Sequence, residues 1–120
     1  MDQHPRVALF GTDLLLASRL RSALSEAGVG LIEATRDDLL PPVSLLFVDL
    51  NHDTESRLEA VTRLRDRNPT GTIGGFCNHE EKVVIQRAVI AGCDQVVANR
   101  NPSDAVLRLL GDPAARGLPG

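Results

Sequence analysis

Three apolar runs of strand length, each stopped by a polar residue or a glycine, constrain this chain more than any other feature. Ser44-Leu45-Leu46-Phe47-Val48 runs into Asp49, Val7-Ala8-Leu9-Phe10 into Gly11-Thr12, and Val96-Val97-Ala98 into Asn99. Strands without polar alternation are covered on both faces, as in parallel sheets. Between the runs lie stretches of helical period. Leu16, Leu20, Ala23, Leu24 and Ala27 recur after Thr12, whose hydroxyl is a cap, with Asp13 beside it at the positive end of the helix. Gly28 stops that helix. A further helical stretch runs from Thr54 to Arg67, with Leu58, Val61, Leu64 and the stem of Arg65 on its apolar side. Another runs from Glu80 to Ala91 and ends at Gly92.

Leu31–Ala34 and Thr72–Phe76 read as two more strands, the second loosened by Gly74-Gly75. Asp37-Asp38-Leu39-Leu40 leaves room for about one helical turn before Pro41-Pro42 blocks continuation. Asn101-Pro102 opens a last short helix to Leu110. Five strands alternating with helices predict an α/β fold, a parallel sheet with helices on both faces and right-handed crossovers. Residues 1–110 form one domain in this reading, and residues 111–120 have the composition of a flexible tail or the start of a linker.

A chain of 120 residues is large enough to bury a core. A net charge of −3 excludes bulk electrostatic binding to nucleic acid or to an anionic membrane. No apolar run reaches membrane-spanning length, and Met1–Arg6 lacks the make-up of a signal peptide. Two cysteines, Cys77 and Cys93, are too few for a disulfide framework, so a cytoplasmic location is expected. The first strand is followed by no G-x-G-x-x-G and the chain has no Gly-Lys-Ser/Thr, which removes dinucleotide binding and nucleoside-triphosphate hydrolysis.

The order and spacing of Val7–Thr12, Leu45–Asp49, Gly71–Cys77 and Gly92-Cys93-Asp94-Gln95-Val96-Val97-Ala98-Asn99 resemble a response-regulator receiver domain, over residues 6 to 110. The resemblance implies a flavodoxin-like (CheY-like) five-stranded sheet in the order 2-1-3-4-5, here with the second helix shortened. It implies Asp49 as the phospho-acceptor position. The acidic pair that holds magnesium in such domains falls on Gly11 and Thr12. The hydroxyl residue ending the fourth strand falls on Cys77, the switch aromatic on Val96, and the lysine of the fifth strand on Asn99, followed by Arg100.

Magnesium wants oxygen ligands in near-octahedral order. Gly11 offers no side chain, Thr12 offers a neutral hydroxyl, and Asp13 stands one residue late. Without the lysine, one cation that would cancel developing phosphoryl charge is missing. The expectation is therefore a degenerate pseudo-receiver. It would be a signalling domain that binds a protein partner, is not an enzyme and needs no cofactor, with magnesium only if the receiver site works.

Two alternatives stand beside it. One is a working receiver that accepts phosphate at Asp49 from a histidine kinase. The other is a flavodoxin-like small-ligand or metal-binding module, for which Asp49, His52, Cys77 and His79 form a ligand set. For partners, the helix from Glu80 carries Val84, Ala88 and Ala91 on one face with Ile85 and Val89 beside it. Val84, Ile85, Ala88 and Val89 claim the core in this reading, so Val83, Arg87 and Ile90 form a separate exposed stripe, a surface for a signalling partner or a second copy of the chain.

Overall fold

Each apolar run becomes a strand of one parallel sheet. The computed structural model describes residues 6–36, 38, 40–41, 43–67, 71–77 and 82–98. His79, the acids Glu80 and Glu81, Asn99, Arg100, the last helix and the 111–120 tail lie outside the described residues, as does the domain boundary near residue 110. The elements are β1 (Val7–Phe10), α1 (Leu14–Glu26), β2 (Leu31–Ala34), β3 (Leu45–Asp49), α2 (Thr54–Arg67), β4 (Thr72–Cys77), α3 (Lys82–Ala91) and β5 (Gln95–Ala98). Their order in the sheet is β2-β1-β3-β4-β5, all parallel, as the alternating pattern and the resemblance imply.

The buried strands sort their side chains onto two faces. Val7, Leu9, Leu45, Phe47 and Phe76 meet Leu16, Leu20 and Leu24 of α1 on one side. Phe47 and Phe76 stack there with ring centroids 5.0 Å apart. Ala8, Phe10, Leu46, Val48 and Ile73 meet Leu58, Val61 and Leu64 of α2 and Ala88 of α3 on the other. Gly75 lets the sheet close over Leu50, because a Cβ there would stand 2.8 Å from the Leu50 Cδ1. No α-helix separates β2 from β3 among the described residues, in keeping with a second helix cut to a turn or less.

Local chemistry shifts several boundaries. Asp13, not Thr12, caps α1: its Oδ1 accepts the N–H groups of Leu15 and Leu16 at 3.0 and 3.1 Å. Ala27 is the C-cap and is exposed, one position past the buried stripe. Gly28 follows at φ +76°, the left-handed conformation that ends helices. β4 extends to Cys77, one residue beyond the expected Phe76.

Arg65 does more than lay its stem on the core. It donates to the carbonyls of Gly71 and Gly92 and to the Asp94 carboxylate, and Asp94 in turn accepts the Ile73 N–H. One side chain thus ties the end of α2 to the loops before β4 and β5.

On α3 the expected core set is partly corrected. Ala88 is buried and Val84 and Ile85 are half-buried, but Val89 is 52% exposed. The buried arc is centred on Val84, Ala88 and Ala91. Val89 sits a full helical step, about 100°, beyond Ala88 and falls outside it.

Candidate functional site at the strand ends

Because β1 and β3 are neighbours, the loops that follow them stand side by side at the carboxyl edge of the sheet. Asp49 is the last residue of β3 and has no exposed surface. Its Oδ1 accepts the Asn51 N–H at 2.9 Å. Its Oδ2 is buried with no hydrogen-bond partner. Such an oxygen is costly unless a proton or a cation satisfies it.

The two positions read as replacements for an acidic pair differ in kind. Thr12 is exposed. Gly11 lies against Asp49: a Cβ on it would stand 2.9 Å from the Asp49 Cβ and 3.5 Å from the Arg57 Nη1. There is no room for a side chain at residue 11 without a shift of its neighbours.

Arg57 is the residue beside Asp49 that sequence reasoning missed. It lies in the first turns of α2 yet is only 4% exposed. Its Nη1 donates to the carbonyls of Phe10 and Asp49, each at 3.3 Å, and its Cζ sits 4.6 Å from the centroid of the Phe10 ring. The guanidinium bridges the ends of β1 and β3 through main-chain oxygens and an aromatic face, which together make up for lost hydration. The signal for it was helical spacing. Arg57, Val61 and Leu64 stand at i, i+4 and i+7 on the buried face.

The structure places the remaining expected residues as follows. His52 is exposed, next to Asp53, whose φ of 52° makes a tight left-handed turn into α2. One ligand atom each from Asp13, Asp49 and His52 lie within 4.8 Å of one another. Cys77 is buried and is not in that group, so Asp13 takes the place the sequence reading gave it. Val96 is half-buried and packs on the α2 and α3 side of the sheet. Neither cysteine is in a disulfide. Burial, with Asp94 adding to it, pushes the Cys93 thiol up to about 12, which leaves it unreactive at neutral pH.

On the side of the molecule formed by α3, Val83 is 67% and Ile90 85% exposed. Arg87 is exposed too, but pairs through both nitrogens of its fork with Glu55 of α2. That hydrogen-bonded pairing holds the Glu55 carboxyl below its usual range.

No protein-family model matches the sequence, and comparison with curated proteins likewise matches nothing. Comparison with solved structures is decisive for the architecture. A response regulator from Thermotoga maritima superposes with a TM-score of 0.76 at 18% identity, covering 91% of this chain and 99% of that one. A CheY-like protein, TadZ, from Pseudomonas aeruginosa gives 0.76 at 16% identity, covering 100% and 98%. The fold is that of a response-regulator receiver domain.

A third receiver-fold structure, a response regulator from Burkholderia pseudomallei, gives 0.78 at 19% identity over 94% of this chain and 70% of that one. It was solved with a phosphorylated aspartic acid, a calcium ion and citrate. The receiver fold implies a hard divalent cation beside the acceptor, and the residues of this chain do not fit one. Residue 11 has no side chain or space for one, Thr12 faces solvent, and a buried guanidinium already occupies the carbonyl groups between β1 and β3. The donors that do gather include an imidazole, which is not a ligand that magnesium prefers.

Proposed function

We propose that this chain is a receiver-fold signalling domain that works by binding another protein, without taking up phosphate at Asp49. One observation carries the reading: the Asp49 carboxylate has no exposed surface, and Arg57 is built into the strand ends beside it. An acceptor must meet its phosphodonor in line, with cations cancelling the developing charge. A closed carboxylate beside Gly11 and Thr12 offers neither the access nor the metal.

The test is incubation with acetyl phosphate and magnesium followed by intact-mass measurement. The expected result is an unchanged mass. A stoichiometric gain of one phosphoryl group that disappears in Asp49→Asn would establish the working receiver instead, with a histidine kinase as its partner.

The contact surface in this proposal is the exposed face of α3. Val83 and Ile90, joined by Val89, present apolar surface that a signalling partner or a second copy of the chain can cover. Replacing Val83 and Ile90 together with lysine should leave the melting temperature nearly unchanged, since neither side chain packs in the core. The same change should weaken self-association in sedimentation or capture of a partner in pull-down. A steep fall in melting temperature would mean that these residues belong to the core.

A further inference from the structure

An apolar cavity of about 90 Å³ lies at the amino edge of the sheet, at the other end of the strands from Asp49. Its floor is Leu46 of β3 and Ile73 of β4, which are paired neighbours in the sheet. One wall is Leu64 and Arg67, near the end of α2. The other is Leu40, Pro41 and Val43, from the short connection between β2 and β3. We infer that this cavity binds a small aliphatic carboxylate, its branched body of about four carbons against β3 and β4 and its charged end on Arg67.

The lining fixes what can enter. Arg67 is its only residue that is not apolar. A void without polar partners does not hold water. Its floor cannot readily collapse to fill it. Leu46 and Ile73 are buried strand residues held by parallel pairing. The Ile73 N–H also donates to the Asp94 Oδ2 at 2.8 Å, and Asp94 is itself paired with Arg65. Atoms facing such a void lack neighbours on one side, and an apolar guest supplies those contacts. An apolar cavity of about 150 Å³ takes up a six-carbon ring, so one of about 90 Å³ suits roughly four carbons.

Arg67 sets the charge of the guest. It is exposed yet contributes to the lining, which lays its stem along the cavity and turns its guanidinium to water. Five N–H donors suffice for a carboxylate beside the contact that Arg67 already makes within the chain. Two carboxylate oxygens match the planar fork, and one arginine balances one negative charge. The inference goes beyond the partner-binding reading and does not depend on whether Asp49 takes phosphate.

The experiment uses the full chain, labelled at the methyl groups of leucine, isoleucine and valine and followed by NMR. The probes are 3-methylbutanoate, its neutral amide, and straight-chain acids from propanoate to octanoate. Saturable shifts of the Leu46, Leu64 and Ile73 methyls are expected. Affinity should rise about fourfold with each added carbon until the cavity is full, and octanoate should gain nothing over hexanoate. The acid should bind roughly threefold more tightly than its amide, the worth of an ion pair at the surface. Arg67→Gln should remove that preference with little change in melting temperature, because the side chain is exposed. Val43→Phe places a ring in the cavity and should abolish binding of every acid. Should that variant fail to fold, the chain-length series and Arg67→Gln still decide.

Absence of saturable shifts, shifts confined to other methyls, affinity indifferent to chain length, or equal binding of acid and amide overturns the inference. A gain of mass from acetyl phosphate leaves this result untouched, so the two readings fail separately.

Discussion

Replacing Arg57 by alanine should cost about 3 kcal/mol of stability and lower the melting temperature by roughly 10 °C. Three losses add to that figure. The carbonyls of Phe10 and Asp49 lose the donor that satisfies them. The Phe10 ring loses the cation over its face. A side chain 4% exposed leaves a void that the ends of two strands cannot readily close. Arg57→Lys should recover only part of the loss, since an ammonium lacks the planar fork and is more strongly hydrated. Glu59→Ala, at an exposed position on the same helix, is the control and should change little. Thermal unfolding followed by circular dichroism reads all three. A shift for Arg57→Ala no larger than the control's would show that the guanidinium does not anchor the strand ends.

This residue also marks how far the sequence could be read. The architecture was legible because strands buried on both faces become unbroken apolar runs: Leu45 to Val48 and Val7 to Phe10 are both wholly buried. The sheet order followed from the resemblance to receiver domains, and the shortened second helix from Pro41-Pro42 and the brief interval between β2 and β3. The site was legible only in part. Asp49, Gly11 and Thr12 were assigned through the resemblance; in the structure Asp49 ends β3, and residues 11 and 12 follow β1.

Arg57 escaped because a charged residue near a helix start reads as solvated. Burial depended on Gly11 leaving room and on two carbonyls at adjacent strand ends, neither of which is local in sequence. His52 was read beside Asp49, but the approach of Asp13 to both escaped for a related reason. Asp13 is far from them in the chain, and only the adjacency of β1 and β3 brings their loops together. Val89 was misplaced by counting apolar residues instead of centring the buried arc on Ala88.

Restoring an acid where receiver domains carry one should not restore their chemistry. Gly11→Asp is expected to destabilise the fold by about 2 kcal/mol, the usual cost of adding atoms to a filled site. The cause is steric before it is electrostatic. The new Cβ would stand 2.9 Å from the Asp49 Cβ, an atom fixed by β3 that cannot rotate away. The added carboxylate would then face two opposed charges. A Cβ at residue 11 would lie 3.5 Å from the Arg57 Nη1 and 3.7 Å from the Asp49 Oδ2. Attraction to the guanidinium draws it toward Arg57 and away from any position where a metal could bridge it to Asp49.

Gly11→Ala isolates the steric part, so the difference between the two variants reads the charge interactions directly. Both should melt several degrees below the parent chain, and Gly11→Asp should still gain no mass from acetyl phosphate with magnesium. Stoichiometric phosphorylation of that single variant would mean that the site was one carboxylate short of activity. Arg57 would then be a compatible neighbour of a bound cation, and the reading of this domain as closed to phosphate would fail.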